Sequence, residues 1–280
     1  MKISSVAIAT KKDSQKALAL CEDISSWLEG RGTAVRLSSG TPDDLRPGPG
    51  KESPDLIIIL GGDGTILSRA RKLLDLGVPF LGVNLGQVGF MAEVSPDSWK
   101  DQMERIMTHG PCLSPRVVLG YELGRDGEII EKGCAINELA ISRGHLARLI
   151  TVDMELPGGV RQEVRSDGII FSTPTGSTAY SVSAGGPLVH PELEVLIITP
   201  ICPFLHDFKP LVLPSGQTIF AGIPGSGTEA WMTVDGQVGI RLSPGDRLRI
   251  FRYARDFNIL CDPLENFVSK LAAKGFIKRR

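Results

Sequence analysis

The sequence has no long apolar run, no paired-cysteine motif and no surplus of charge, and each absence removes a class of function. Its densest apolar stretch, Leu56-Ile57-Ile58-Ile59-Leu60, is five residues long, far short of the roughly 18 to 20 that a membrane-spanning helix requires. No membrane partner is expected. The five cysteines, Cys21, Cys112, Cys134, Cys202 and Cys261, are odd in number, widely spaced and never in a CxxC pair. That argues against a disulfide framework or a thiolate zinc site and fits a reducing cytosol. Lys and Arg number 31 against 32 Asp and Glu, a net charge of -1, so no basic footprint marks a nucleic-acid partner. The short apolar stretch within Met1 to Thr10 runs straight into Lys11-Lys12-Asp13 with no cleavage-like small-residue pattern. No secretory leader is expected, and a soluble, cytoplasmic protein is.

Several chemical signatures are missing too. The one Gly-Lys pair, Gly50-Lys51, is followed by Glu52, so there is no P-loop, and no GxGxxG follows the first apolar stretch. A hydride-transfer dinucleotide site is therefore unsupported. The four histidines, His109, His145, His190 and His206, form neither HExxH nor any cluster, so no protein-held metal site is expected. No GxSxG nucleophile elbow occurs.

What is present is an ordinary globular composition, 42% hydrophobic and 22% charged over 280 residues, a length that predicts about two domains. Gly 32 and Pro 19 make up about 18% of the chain, above the usual ~12%, so the chain turns often. In the first third, Val6 to Ala9 reads as a buried strand. Ala17, Cys21, Ile24 and Leu28 recur at helical spacing, with Gly30 as a stop. Ala34 to Leu37 is a candidate second strand, and the Pro- and Gly-rich Ser38 to Pro54 a loop. Leu56 to Leu60 is the continuous apolar run of a parallel strand covered on both faces. Ile66, Ala70, Leu73 and Leu74 form another helical stripe, and Val78 to Val83 returns as a strand. Strand, helix, strand in repetition predicts βαβ units and an open parallel sheet.

The pattern changes near Ser95-Pro96. A bridging helix is expected over about Asp97 to Met107. Short strands follow, broken by Arg125-Asp126-Gly127, Pro157-Gly158-Gly159, Pro214-Ser215-Gly216, Pro224-Gly225 and Pro244-Gly245. This part is expected to be a β-rich sandwich or stacked sheets. Leu264, Phe267, Val268 and Leu271 make a last helical stripe able to pack back on the first domain. The expected organisation is an α/β domain over 1–96, rejoined by about 264–280, and a β-rich domain over 97–263.

Three regions carry chemistry. Gly61-Gly62-Asp63-Gly64-Thr65 lies where the apolar strand ends and the next helix begins, the place where open α/β sheets hold ligands. Glycines let a phosphate chain approach the backbone, free amides at a helix start favour anions, and Thr65 is a natural N-cap. A carboxylate in such a loop repels phosphate unless it accepts a hydroxyl proton or holds a metal ion. The plain alternative is an Asp-Gly turn with Asp63 as a solvated cap. Second, seven of the eleven residues from Thr173 to Ser183 carry hydroxyls, enough to clasp ribose, amide or phosphate without bringing charge. The plain alternative there is a Ser/Thr loop capping a helix. Third, Asn137-Glu138 suits a base edge and a sugar diol, as do many strand-end turns. Arg148 and Arg165 are candidates for pyrophosphate oxygens, against the alternative of solvated arginines.

In chain order, GGDGT, then Asn84-Leu85-Gly86-Gln87-Val88-Gly89-Phe90, then Asn137-Glu138, then Asp167-Gly168 with TPTGSTAYSVSAGGP, closely resemble the NAD kinase family. The likeness runs from the first strand to Asp235-Gly236-Gln237. GGDGT alone is shared with lipid kinases; the hydroxyl-rich stretch is far more specific. The resemblance implies transfer of the γ-phosphoryl of ATP to the 2′-hydroxyl of the adenosine ribose of NAD, giving NADP, with Mg²⁺ or another divalent cation on the ATP. It implies two domains meeting at a cleft and a homodimer or homotetramer. Mapped onto this chain, Asp63 is the proton acceptor and Gly64 lies against the dinucleotide, with Gly61, Gly62, Gly64 and Thr65 near phosphates. Phe90 is placed to stack on adenine, and Asn137 and Glu138 to bind adenine or ribose groups. Arg148, Arg165 and Asp167 add polar contacts. Thr175 and the run Thr178, Ala179, Tyr180, Ser181, Val182 and Ser183 wrap the nucleotide, in part from a neighbouring subunit. Cys202 lines the pocket through its backbone and Gln237 completes it.

One tract departs from the family. After Thr199-Pro200-Ile201-Cys202-Pro203 a His-Ser-Leu tract ending in Arg-Pro is usual, and here Phe204-Leu205-His206-Asp207-Phe208-Lys209-Pro210 stands instead. Two other readings share some features. A kinase of a lipid alcohol would want an apolar acceptor pocket or a membrane-facing surface. A non-catalytic dinucleotide sensor would bind ligand without forming product.

Overall fold

A computed structural model describes residues 3–10, 14–38, 41–48, 52–86, 89–92, 94–144, 149–206, 208–224, 229–261 and 266–277. Internal contacts divide the chain into two units, one of Met1–Pro115 with Phe257–Arg280 and one of Arg116–Asp256.

The first unit is α/β. Its elements are β1 (Ser5–Thr10), α1 (Gln15–Glu29), β2 (Ala34–Leu37), β3 (Leu56–Leu60), α2 (Asp63–Leu73), β4 (Phe80–Val83), α3 (Trp99–His109) and β5 (Leu113–Arg116). A single turn of 3-10 helix at Pro42–Leu45 interrupts the loop expected over Ser38 to Pro54. The helices form because the apolar spacing gives each a buried stripe, Ala17, Cys21, Ile24 and Leu28 in α1 and Ile66, Leu67, Ala70 and Leu73 in α2. Ser14 caps α1, its side chain accepting from the Ala17 amide. All five β3 residues are buried. Since strand side chains alternate between faces, Leu56, Ile58 and Leu60 enter one core with Ile8, Ile24 and Met103, and Ile57 and Ile59 face the other side. Burying each such side chain contributes roughly 1.5–3 kcal/mol, so β3 is the sheet's hydrophobic centre.

The second unit is β-rich. In chain order it holds β6 (Leu119–Arg125), β7 (Glu128–Ala135), β8 (Glu138–Arg143), β9 (Ile150–Leu156), β10 (Val160–Ser166) and β11 (Gly168–Ser172). The four-residue helix α4 (Tyr180–Ser183) follows. Then come β12 (Val195–Ile201), β13 (Leu211–Pro214), β14 (Ile219–Gly222), β15 (Ala230–Val234), β16 (Val238–Leu242) and β17 (Arg247–Arg252). Two six-stranded sheets result, in the orders β10-β9-β14-β17-β6-β7 and β13-β12-β11-β8-β15-β16. Every pairing in them is antiparallel. Leu119, Val152 and Ile250 of the first sheet and Ile141, Phe171 and Ile198 of the second share one buried core, which makes the unit a sandwich.

The chain then re-enters the α/β unit as β18 (Phe257–Leu260) and α5 (Phe267–Ala273). The α/β sheet has the order β2-β1-β3-β4-β18-β5, with the pairs from β2 through β18 parallel. Asn266 caps α5, whose Leu271 is buried; Leu264 of the expected stripe lies outside the described residues. The composition shift at Ser95-Pro96 predicted a break after residue 96, and the units instead divide after Pro115. Trp99, Met103 and Ile106 of α3 belong to the α/β core, and β5 joins that unit's sheet. The return comes at Phe257 rather than near 264, because β18 pairs with β4. Among the described residues no helix is long and apolar enough to cross a membrane.

Candidate active site

In the α/β unit, β3 passes through Gly61 and Gly62 directly into α2. Gly62 is the extended cap (φ -85°, ψ 177°) and Asp63 is the first helical residue. Thr65, the expected N-cap, lies instead inside the first turn. A carboxylate in the first turn is favoured by the helix dipole, and Gly-Gly leaves the strand-to-helix bend unobstructed. A Cβ on Gly61 would meet the Thr65 side chain at 2.7 Å. The Gly61 amide donates to the Val83 carbonyl (2.9 Å) and the Thr65 amide to that of Gly62 (2.9 Å). Those two amides are thus committed to the scaffold, while Gly62 and Gly64 are exposed.

The Asp63 carboxylate is not a solvated cap. Oδ2 accepts the Phe90 amide at 2.8 Å, and Oδ1 accepts the Met91 and Ala92 amides, each at 3.2 Å. A carboxylate offers about four acceptor directions, and these amides use one on Oδ2 and two on Oδ1. The gripped segment is seated on β4. A Cβ on Gly82 would lie 2.9 Å from the Met91 carbonyl and 3.1 Å from the Ala92 Cα, and Asn84 donates its amide to the Val94 carbonyl at 2.8 Å. The Phe90 ring is half-buried and packs against Phe276, centroids 5.9 Å apart and planes at 58°. Gln87 and Val88 lie outside the described residues.

In the β-rich unit the organiser is Asp235, in the turn between β15 and β16. It is buried and holds a left-handed backbone (φ 50°). Its Oδ1 accepts the Asn137 and Glu138 amides at 2.7 and 3.2 Å, and its Oδ2 accepts that of Ile136 at 3.2 Å. Asn137 and Glu138 are consequently fixed at the start of β8, almost fully buried. Asn137 Oδ1, Glu138 Oε2 and Thr175 Oγ1 are buried and have no hydrogen-bond partner. Such atoms are costly to leave unpaired. All three lie beside the hydroxyl-rich loop or within it.

Glu138 shows the cost directly. Burial, then repulsion from Asp235, pushes its carboxyl up to about 7, opposed by a hydrogen bond from the Tyr180 amide. The Tyr180 hydroxyl is raised by burial, then by the nearby Cys202, Asp167 and Glu138.

Much of the hydroxyl-rich loop is spent on its own structure. Thr173 donates to the Ile136 carbonyl (2.6 Å), Ser172 to those of Asn137 and Thr173, and Thr178 to that of Thr175 (3.3 Å). Ser177 exchanges hydrogen bonds with the Val189 backbone, and Ser181 pairs with Thr199 at 2.9 Å. Gly176 permits the loop to close on Asn137, because a Cβ there would meet the Asn137 carbonyl carbon and Ser172 Oγ, both at 2.6 Å. Tyr180 and Ser183 remain exposed, with Ala179 and Val182 half-buried.

The remaining candidates are spread around this loop. Asp167 forms an ion pair with Arg143 at 2.8 Å. The Arg165 guanidinium lies 5.2 Å from the centre of the Phe204 ring. Cys202 follows β12, exposed and left-handed (φ 46°). Gln237 is exposed in the same turn as Asp235. Arg148 lies outside the described residues. Sequence reasoning missed the anchoring by Asp235 and the Arg143 pair. The Asp-Gly between two alternating stretches was the available signal for the first; none marked the second.

Comparison with known proteins shows the family. Residues 50–110 match the ATP-NAD kinase N-terminal domain and residues 136–260 the ATP-NAD kinase C-terminal domain. An NAD kinase of Nitratidesulfovibrio vulgaris (strain Miyazaki F) is 42% identical over 276 residues, covering 99% of this chain and 98% of the relative. One from Geobacter sulfurreducens is 34% identical over 275 residues, covering 96% and 97%. In three dimensions the chain is similar to an Archaeoglobus fulgidus NAD kinase in complex with ATP (TM-score 0.76, 27% identity, covering 96% of this chain and 99% of that one). It shares its fold with yeast NADH kinase complexed with NADH (TM-score 0.86, 22% identity, covering 100% and 89%). With matched domains at both ends and near-complete overlap with its relatives, the chain belongs to the NAD kinase family.

Proposed function

We propose that this chain phosphorylates the 2′-hydroxyl of the adenosine ribose of NAD with the γ-phosphoryl of ATP, and that Asp63 is the proton acceptor. The 2′-oxygen bonds to the γ-phosphorus, the bond from that phosphorus to the bridging oxygen breaks, ADP leaves, and the hydroxyl proton passes to Asp63 Oδ2. Phosphoryl transfer has a loose transition state that needs little nucleophilic push. Asp63 therefore orients the hydroxyl and takes its proton late. The observation that carries this reading is the Asp63 carboxylate, gripped by the Phe90, Met91 and Ala92 amides with one Oδ2 direction left over.

The β-rich unit holds the adenosine. Asn137 Oδ1 and Glu138 Oε2, unpaired and buried, accept from the base amine and the sugar hydroxyls. Thr175, Thr178, Ala179, Tyr180, Ser181, Val182 and Ser183 surround it, and Asp167, Arg165, Cys202 and Gln237 complete the polar lining. Gly62 and Gly64 lie along phosphates, and Phe90 offers a ring to adenine. Among the described residues no three His, Cys, Asp or Glu side chains group as a metal site. The divalent cation is proposed to ride on the ATP phosphates, where it would neutralise charge during transfer. A cytoplasmic location and a homodimer or homotetramer complete the proposal.

Purified protein with NAD, ATP and Mg²⁺, read by an NADP-specific cycling assay, tests it. NADP formation is expected, and its absence with calorimetric NAD binding intact would leave a dinucleotide sensor. Light scattering reads the oligomer.

A further inference from the structure

Two of the five cysteines meet at the edge of the α/β sheet. Cys112 immediately precedes β5 and Cys261 immediately follows β18, neighbouring strands in the sheet order. The Cys261 amide donates to the Cys112 carbonyl at 3.1 Å, and their sulfurs stand 3.3 Å apart although 149 positions separate them in sequence. Residues joined across neighbouring strands by a backbone hydrogen bond have Cα atoms within the span a disulfide bridges, about 4.4–6.8 Å. The step from 3.3 Å to the bonded length of about 2.05 Å is short. Cys112 is exposed and Cys261 half-exposed, whereas Cys21 and Cys134 are buried.

We propose that Cys112 and Cys261 are a redox-responsive pair that closes to a disulfide under peroxide and reopens with a dithiol reductant. An accessible thiol beside a resolving thiol is the arrangement that captures a sulfenic acid before further oxidation. The Cys112 thiolate attacks one oxygen of hydrogen peroxide. An S–O bond forms, the O–O bond breaks, and the departing hydroxide takes a proton to become water. The Cys261 sulfur then attacks the Cys112 sulfur, the S–S bond forms, the S–O bond breaks, and the second hydroxide is likewise protonated. In sum, two thiols and one peroxide give one disulfide and two waters.

The bond has a structural consequence beyond local chemistry. It encloses the whole β-rich unit in one covalent loop, the long-loop regime in which a cross-link constrains the unfolded chain most. It also ties down the start of the returning segment whose far end, Phe276, packs on Phe90.

The test uses the full chain, oxidised with a small excess of hydrogen peroxide, alkylated under denaturing conditions, digested and weighed. The expected product is one cross-linked peptide joining Cys112 to Cys261, lighter by two hydrogens and lost on dithiol treatment. With it the unfolding temperature rises by roughly 5 °C. Cys112→Ser and Cys261→Ser each abolish the peptide and the rise, while Cys202→Ser keeps both. Sulfinic acid at Cys112 without a cross-link, a cross-link to Cys202, or one between two chains overturns the proposal, and the wild-type mass result decides this even if a variant fails to fold.

Discussion

The carboxylate of Asp63 and the missing side chain of Gly89 claim the same space: a Cβ built on Gly89 would run into all three terminal atoms of Asp63. Glycine at 89 is thus a packing requirement of the acid, one residue before the amides the acid holds. Gly89→Ala is expected to push the 90–92 segment off the carboxylate, costing roughly 1–3 kcal/mol as overpacking does. Turnover should fall at least tenfold. Thermal unfolding and the NADP assay, run side by side, check both effects, and normal values in both would mean the segment adapts without cost.

Asp63→Asn is the sharper chemical test. An amide can accept on one side only, so it cannot satisfy donors on both Oδ1 and Oδ2. Turnover is expected to drop by roughly 10² to 10⁴, with NAD affinity, read by calorimetry, changing by less than an order of magnitude. Unchanged turnover would retire Asp63 as the proton acceptor.

Asp235→Asn separates anchoring from charge. Asparagine tolerates the left-handed backbone that Asp235 adopts, so strain stays low while the carboxylate's grip on the 136–138 amides weakens. The expected cost is about 1–3 kcal/mol, that of a buried donor left poorly paired. Because Asp235 also raises the Glu138 carboxyl, its replacement should move Glu138 downward toward the ordinary range. Denaturant melts read the first effect, and carboxyl titration by NMR reads the second.

Glu138 makes stability depend on pH. Its carboxyl is lifted from 4.5 to about 7 in the folded chain, so between those values the folded state holds more protons than the unfolded one. The stabilising contribution is present in full below 4.5 and is lost as pH rises through about 7. At about 1.4 kcal/mol per pH unit the loss is on the order of 3 kcal/mol. Glu138→Gln should flatten this slope, which urea melts at pH 5 and pH 8 would reveal; equal slopes in the two proteins would remove Glu138 as its source.

Metal removal should silence catalysis without touching the fold. With the divalent cation carried on the ATP phosphates, as proposed, a chelator is expected to abolish NADP formation, with Mg²⁺ restoring it. The unfolding temperature of the nucleotide-free chain should stay the same. A chelator-induced drop in that temperature would point to a cation held by the chain itself.

Legibility in the sequence followed periodicity. Helices α1 and α2 and strand β3 stood out because each has a repeating apolar stripe or an unbroken run. Boundaries set by sheet pairing did not: β18 has the look of any short strand, and nothing local says that it leaves the β-rich unit to pair with β4. Asp63 was legible as a candidate by its odd charge in a glycine-rich turn, yet the cap of α2 falls at Gly62, three residues before the expected Thr65, because Gly-Gly-Asp carries no apolar signal. Asp235 was visible only as part of a turn. Its hold on amides 97 to 99 positions away is a tertiary fact that no short window contains. The meeting of Cys112 and Cys261 was hidden for the same reason, since spacing along the chain argued for five unrelated thiols.

The grip of Asp63 on three neighbouring amides limits how this chain can diverge. Trading that acid for a neutral residue loosens the scaffold together with the chemistry, so a descendant that merely binds dinucleotides would regain the lost stability through a second, compensating change in the 89–92 segment.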